Sequence, residues 1–455
     1  MSSERTVDAI VVGAGPAGEV CAGRMAEHGL KVALVERELV GGECSYYACM
    51  PSKALLRPGE LVDEVERVPG VRLAQPTLDP PRVLARRDEV IHDLDDSVQL
   101  PWLDKRGIEL VRGQARLDGE RRVRVGDEVL HARRAVVIAT GSSAALPPIP
   151  GLAEAAPWTN REVTTARAVP GRLLVLGGGF VGVEMAQAYA TLGASVALVE
   201  AVPRLIAREE EFASEQVADG LRAHGVDVRL GTKAVAASRG DRKVRLELDG
   251  GEELTGDELL VAVGRRPNTA ELGLETVGLA PGENVDVDDR LRAGGQDWLY
   301  AIGDVNGRAL LTHAGKYQGG VAADVIAGRD VRATTDGPVS PRVVFTDPQV
   351  AAVGHTVASA QEAGLEVRVV DQPTASVAGS SFRGRNAPGT ARLVVDEQRG
   401  VIAGATFTGP ETAELLHAAT IAFVAEVPLD RLRHAIPAFP TRNELWLRLL
   451  EKAGV

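Results

Sequence analysis

The sequence predicts an α/β chain: two doubly wound units of the same kind, then a smaller α+β domain. Three observations lead there. A strand, glycine turn, helix and second strand open the chain, and the same order returns near residue 172. In both copies the second strand ends on a glutamate at the same offset from the first glycine. Beyond about residue 340 the glycine pattern is absent, and apolar strands around a turn give way to helical periodicity.

In the first copy VDAIVV (7–12) enters Gly13-Ala14-Gly15-Pro16-Ala17-Gly18, a helical stretch runs through His28, and KVALVE (31–36) ends on Glu36. Gly13 and Gly15 allow a tight turn and close backbone approach to a pyrophosphate. Gly18 lets helix and strand pack, and Glu36 can accept from a ribose hydroxyl. In the second copy RLLVL (172–176) enters Gly177-Gly178-Gly179-Phe180-Val181-Gly182, and ASVALVE (194–200) ends on Glu200. Each glutamate lies 23 positions after its first glycine. One glycine match means little in a chain with 50 glycines, but two with matching strands and acids define two Rossmann-like dinucleotide-binding domains.

Two further apolar strands, RAVVIATGS (134–142) and DELLVAVGRRPN (257–268), run into glycine turns and read as the closing strands of these domains. LYAIGDV (299–305) precedes a helix expected near Thr312, and the Pro-bounded 337–345 marks the last boundary. GTARLVVDEQRGVIAGATFTG (389–409) then reads as two strands around a turn, with helices over 411–427 and after Pro440. The division expected is 1–150, 151–270, a return segment 271–338, and an α+β domain 339–455 whose expected task is to bind a second copy of the chain.

A chain of 455 residues suits two or three domains, since single cores stop growing near about 250–300 residues. The net charge of −12 argues against nucleic acid as a partner. The chain opens with no basic leader, and no apolar run is long enough to span a bilayer, so a cytoplasmic location without a membrane partner is expected. Cys21, Cys44 and Cys49 are too few for a secreted disulfide scaffold or a four-thiolate zinc site, and no metal site is expected. Any disulfide should be chemical in purpose.

GGECSYYACMPSKALL (41–56) directly follows the first nucleotide pattern. In a regular helix, cysteines five apart would have Cα atoms about 8.6 Å apart, beyond the roughly 7 Å that a disulfide tolerates. A bridge therefore requires a distorted helix. Backbone dipoles at a helix start would favour a reactive thiolate, and two unrelated buried thiols are the alternative.

The segment resembles the active-site stretch of the flavoprotein disulfide reductases, the family of dihydrolipoamide dehydrogenase, glutathione reductase and mercuric reductase, whose pattern is GGxCxxxxCxPSK. GGGFVGVE, ATG, VGRRPN, AIGD and VFTDPQVAAVG follow in the family's order, so the likeness spans essentially the whole chain. The resemblance implies bound FAD, NADH as donor and a homodimer. It implies that Cys44 meets the acceptor, that Cys49 lies against the flavin, and that Lys53, one of seven lysines, pairs with Glu184 near the flavin. For FAD it adds Gly42, Ala115, Thr140, Gly141, Asp304 on the ribityl chain and Thr312 at a helix start. For the nicotinamide dinucleotide it adds Gly264.

Glu200 would repel a 2′-phosphate, so NADH is expected over NADPH, with Arg204 four residues on as a moderating charge. The pattern breaks at Phe439-Pro440-Thr441-Arg442-Asn443-Glu444. The family's disulfide-exchanging members have HPTxxE there, the histidine serving as acid and base and oriented by the glutamate. Phenylalanine cannot move a proton, and such help is worth about 10²- to 10⁴-fold. His434 stands five residues earlier as a conceivable substitute. Mercuric reductases also lack the histidine but carry C-terminal cysteines, and no cysteine follows Cys49 here. The leading expectation is an NADH oxidoreductase that delivers electrons through the cysteine pair to a small acceptor. The alternatives are direct reduction of a quinone, dye or metal ion without the disulfide, and an NADH-sensing or scaffolding subunit.

Overall fold

The computed structural model describes residues 4–70, 78–385 and 387–455. The chain divides into two compact units, residues 1–51, 88–145 and 265–340 in one and residues 52–87, 146–264 and 341–455 in the other.

The first unit is built on a seven-stranded sheet. Glu4–Val12 is paired in parallel by Val32–Glu36 on one side and by Glu128–Ile138 on the other. Glu109–Arg112 extends the sheet beyond Val32–Glu36. The long strand Glu128–Ile138 serves two partners on its far side: Arg122–Val125 pairs antiparallel with its first half and Leu299–Ala301 parallel with its last residues. The 134–142 segment therefore does not close the sheet alone, because Leu299–Ala301, contributed from far along the chain, lies outside it. Both faces of Glu4–Val12 are covered, Ala9 and Val11 in one core and Val7, Ile10 and Val12 in another. That is why VDAIVV is a nearly unbroken apolar run instead of an alternating one. The helices Pro16–Glu27 and Thr312–Ile326 touch along small residues: a Cβ on Gly319 would stand 2.5 Å from Ala17 O, and one on Gly315 3.2 Å from Ala17 Cβ.

In the second unit a four-stranded parallel sheet runs in the order Asp227–Leu230, Ser195–Glu200, Arg172–Leu176, Glu258–Val261. A three-stranded meander, Ala234–Arg239, Val244–Leu248 and Glu253–Gly256, covers one of its faces. The C-terminal segment forms a five-stranded antiparallel sheet in which Gln349–Gly354, Val401–Gly409 and Thr390–Asp396 are central. Its core includes Phe407, Leu393 and Ala419, closed by Leu445, Trp446 and Leu449 of the last helix, Glu444–Lys452. The helix expected over 411–427 is shorter, Leu416–Val424, because Thr412–Leu415 winds as a 3₁₀ turn and Glu426 takes a positive φ of 46°.

Candidate active site

The two glycine turns are built alike. A Cβ on Gly18 would lie 1.9 Å from Gly13 O, and one on Gly182 1.9 Å from Gly177 O. One on Gly13 would meet Ala139 O at 2.4 Å, and one on Gly177 would meet Ala262 O at 2.5 Å. Only glycine permits each turn to fold this tightly against its sheet. The middle glycines differ: beside Gly15 and Gly179 a Cβ would meet nothing within 4 Å. Both are helix N-caps with no side chain bonded to the free N–H groups. Two open, uncapped helix starts suit the phosphates of two dinucleotides.

Each glutamate first secures its own turn. Glu36 accepts from Ala14 N and Glu38 N, both at 2.7 Å, and Glu200 accepts from Gly178 N at 2.6 Å and Val202 N at 2.9 Å. Carboxylate oxygens have further lone pairs for a ribose hydroxyl. Arg204 donates to the carbonyl oxygens of Ala207 at 2.8 Å and Glu209 at 3.4 Å, so its guanidinium is engaged within its own loop.

The cysteine segment is not one helix. Gly42–Tyr46 ends at Tyr47, and a new helix, Cys49–Arg67, starts at the second cysteine. The break at Tyr47 and Ala48 supplies the distortion that a bridge between residues 44 and 49 requires. Gly42 seats the short helix against the fingerprint turn, since a Cβ there would be 2.8 Å from the Gly15 Cα. Both cysteines are thiols here. Cys49 Sγ lies 3.4 Å from Thr312 Oγ1, the first residue of its own helix. Cys44 is pushed well above the ordinary thiol range, first by its hydrogen bond with Cys49 and then by burial, with Thr312 and Lys316 acting the other way. Cys49, at a helix N-terminus, is where negative charge is favoured.

Further along the helix, in the second unit, Lys53 Nζ donates to Glu184 Oε2 at 2.6 Å and lies 4.6 Å from the centre of the Phe345 ring. Glu184 is buried, and its other oxygen accepts from Phe345 N at 3.0 Å, so the acid is fixed from two sides.

Asp304 accepts from Ser142 Oγ at 2.6 Å, and burial pushes its carboxyl above the usual carboxylate range. Arg265 donates to Ser142 Oγ at 2.7 Å and to Ser142 O at 2.6 Å. Sequence reasoning missed Ser142 and Arg265, although each directly follows a glycine that it had singled out, Gly141 and Gly264. Thr140 Oγ1 is buried with no hydrogen-bond partner among the described residues, and Gly141 O accepts from Asn268 N at 3.0 Å. Ala115 is buried at the start of the strand Ala115–Leu117.

At the C-terminal end Phe439 is 76% exposed. Glu444 opens the last helix with Oε2 buried and unbonded among the described residues. His434 is exposed. Asp63, His224 and Asp347 also bring ligand atoms within 4.8 Å of one another, but Arg67 already pairs with Asp347 and His224 Nε2 with Asp63 at 3.1 Å. That group is satisfied as an ion network.

Two open dinucleotide turns, a broken helix carrying two thiols, and a lysine–glutamate pair define a pyridine-nucleotide enzyme with a dithiol centre. Residues 7–319 match the pyridine nucleotide-disulphide oxidoreductase family, and residues 340–449 match that family's dimerisation domain. The chain belongs to this family, whose members are FAD- and NAD(P)-dependent disulfide oxidoreductases. It is 37% identical over 450 residues to a dihydrolipoyl dehydrogenase of Thermus scotoductus, covering 97% of this chain and 96% of that one. It is 29% identical to a mercuric reductase of Lysinibacillus sphaericus, covering 97% and 82%. The structure is similar to the Cu(II) complex of the HOCl-induced flavoprotein disulfide reductase RclA from Escherichia coli, with a TM-score of 0.85, 27% identity, and 98% and 99% of the two chains covered. Among the described residues no helix is long and apolar enough to cross a membrane.

The residues present fit FAD. The open space above Gly15 and the buried, unpartnered Thr140 hydroxyl are features that the protein alone leaves incomplete.

Proposed function

We propose that the chain is an NADH-dependent flavoprotein in which the Cys44–Cys49 pair, once reduced, delivers electrons to a small acceptor. Bound FAD would supply the two-electron link between nicotinamide and cysteines. Gly13, Gly15, Gly18, Glu36, Gly42, Ala115, Thr140, Gly141, Asp304 and Thr312 would hold it, with residues 1–150 and 271–338 as its domain. Gly177, Gly179, Gly182, Glu200 and Gly264 would hold NADH within residues 151–270. Lys53, fixed by Glu184, would keep a positive charge beside the electron-carrying ring.

The observation that carries this reading is the placement of the pair on either side of a helix break: Cys44 lies in Gly42–Tyr46, and Cys49 opens the next helix 3.4 Å from Thr312 Oγ1. Cys44 is the thiol assigned to the acceptor. With a disulfide acceptor, Cys44 would form a mixed disulfide and release one thiol. Cys49 would then attack Cys44, close the internal disulfide and release the second.

A second reading is direct reduction of a quinone, dye or metal ion. Two observations favour it: Phe439 offers no proton to a departing thiol, and the similar RclA structure is a Cu(II) complex. A non-catalytic NADH sensor fits poorly with the Cys44, Cys49, Lys53 and Glu184 set.

Cys44→Ala separates the first two readings. Turnover that requires the pair should disappear in this variant, whereas NADH-to-quinone transfer that survives unchanged would establish the direct route. The same assay, run with both nicotinamides, should give a higher kcat/KM for NADH because of Glu200. An equal or reversed ratio would overturn that preference.

We also propose a homodimer assembled through residues 339–455. Phe382, Ile421, Val424, Ile436 and Phe439, all more than half exposed, belong to that segment, as does its family match. An active monomer in sedimentation at assay concentration would refute this.

A further inference from the structure

A second carboxylate shares the arginine that supports Asp304. Arg265 comes from the short strand Arg265–Pro267, which pairs antiparallel with Ser142–Ala144 so that Pro267 faces Ser142 and Arg265 faces Ala144. This pairing aims the guanidinium back along the partner strand, where its Nε reaches Ser142 Oγ at 2.7 Å. The same Nε stands 3.8 Å from Asp304 Oδ2, and its NH2 stands 3.6 Å from Glu43 Oε2. Ser142 Oγ completes the chain by donating to Asp304 at 2.6 Å. Glu43 belongs to the short helix Gly42–Tyr46 and immediately precedes Cys44. The link joins four positions spread from residue 43 to residue 304, all within the first unit.

We propose that Arg265 is a positioning residue shared by Asp304 and Glu43, so that the charge beside the thiol Cys44 tunes how firmly the chain retains FAD. The inference rests on the proposed role of Asp304 in holding FAD. The charged groups that act on Asp304 are Arg265 from one strand and Glu43 from the short helix, with the Ser142 hydroxyl from the paired strand. The helices Pro16–Glu27 and Thr312–Ile326 meet the neighbouring Gly303 through Ala17 and Gly315, which carry no charge.

Burial raises the carboxyl of Asp304, Ser142 and Arg265 lower it, and Glu43 raises it. An ionised carboxylate has acceptor capacity on both oxygens for the ribityl hydroxyls, so retention should weaken as pH falls through the folded value of Asp304. Removing Arg265 must move that fall to higher pH. Removing the charge of Glu43 must move it to lower pH. A merely structural role would loosen the site in both variants and shift both in the same direction.

The experiment is release of FAD from the holoenzyme on acidification, read as free-flavin fluorescence in the filtrate, for wild type, Arg265→Ala, Arg265→Lys, Glu43→Gln and Asp304→Asn. The release midpoint should rise by about one pH unit in Arg265→Ala, the lower end of what an adjacent arginine does to an aspartate. It should fall in Glu43→Gln, and Arg265→Lys should recover part of the loss by restoring charge without the fork. Midpoints that do not move, or that move together, would overturn the proposal. If Arg265→Ala fails to fold, Glu43→Gln decides alone, and the absence of a downward shift overturns it. Asp304→Asn tests the reading beneath. Retention with wild-type pH dependence in that variant would remove the role of Asp304 itself, whereas loss of FAD there with no opposed shifts would reject only the shared arginine.

Discussion

At residue 439 a phenylalanine ring is exposed on the single chain, and at residue 444 a carboxylate oxygen is buried with no hydrogen-bond partner among the described residues. The family pattern fills the first position with histidine and uses the second to orient it. Here the orienting acid remains without a base to orient. A thiol leaving at neutral pH needs a proton when its own pKa lies well above 7, and a phenyl ring supplies none. Wild-type turnover should therefore be poor with ordinary disulfides and faster with quinones or dyes. Phe439→His should raise disulfide turnover by about 10²-fold, at the low end of general acid–base assistance, and leave NADH-to-quinone transfer nearly unchanged. Steady-state kinetics with both acceptors check this. Robust wild-type disulfide reduction that vanishes in His434→Ala would show that the exposed histidine does the work. Robust reduction that survives in His434→Ala would show that the site needs no imidazole.

Among the elements, those specified by short-range pattern were legible in the sequence. Both strand–turn–helix units follow from glycine spacing and an apolar run, because each turn demands glycine where a Cβ would strike the carbonyl of a residue five positions earlier. The break between Gly42–Tyr46 and Cys49–Arg67 was legible only as a condition: disulfide reach forbade a regular helix, but nothing local indicated that Tyr47 and Ala48 would be the break. The pairing of Lys53 with Glu184 came from family likeness alone, since 131 residues separate them. The second anchor of Glu184, the Phe345 N–H, had no sequence signal. The contacts that join Glu43, Ser142 and Arg265 to Asp304 were hidden for the same reason: they depend on which strand lies beside which. The position of Leu299–Ala301 beside Glu128–Ile138 is likewise a long-range pairing that local periodicity does not encode.

Across the whole molecule, the family's two parts follow in order, residues 7–319 and then 340–449. The central claim is that electrons from NADH reach the Cys44–Cys49 pair. Counting accessible thiols on the air-oxidised holoenzyme, before and after anaerobic addition of NADH, tests it most directly, because Cys21 is fully buried and contributes nothing to either count. NADH should expose two new thiols per chain in the wild type and none in Cys44→Ser. Bleaching of the flavin with an unchanged thiol count in the wild type would contradict it and leave the cysteines outside the electron path.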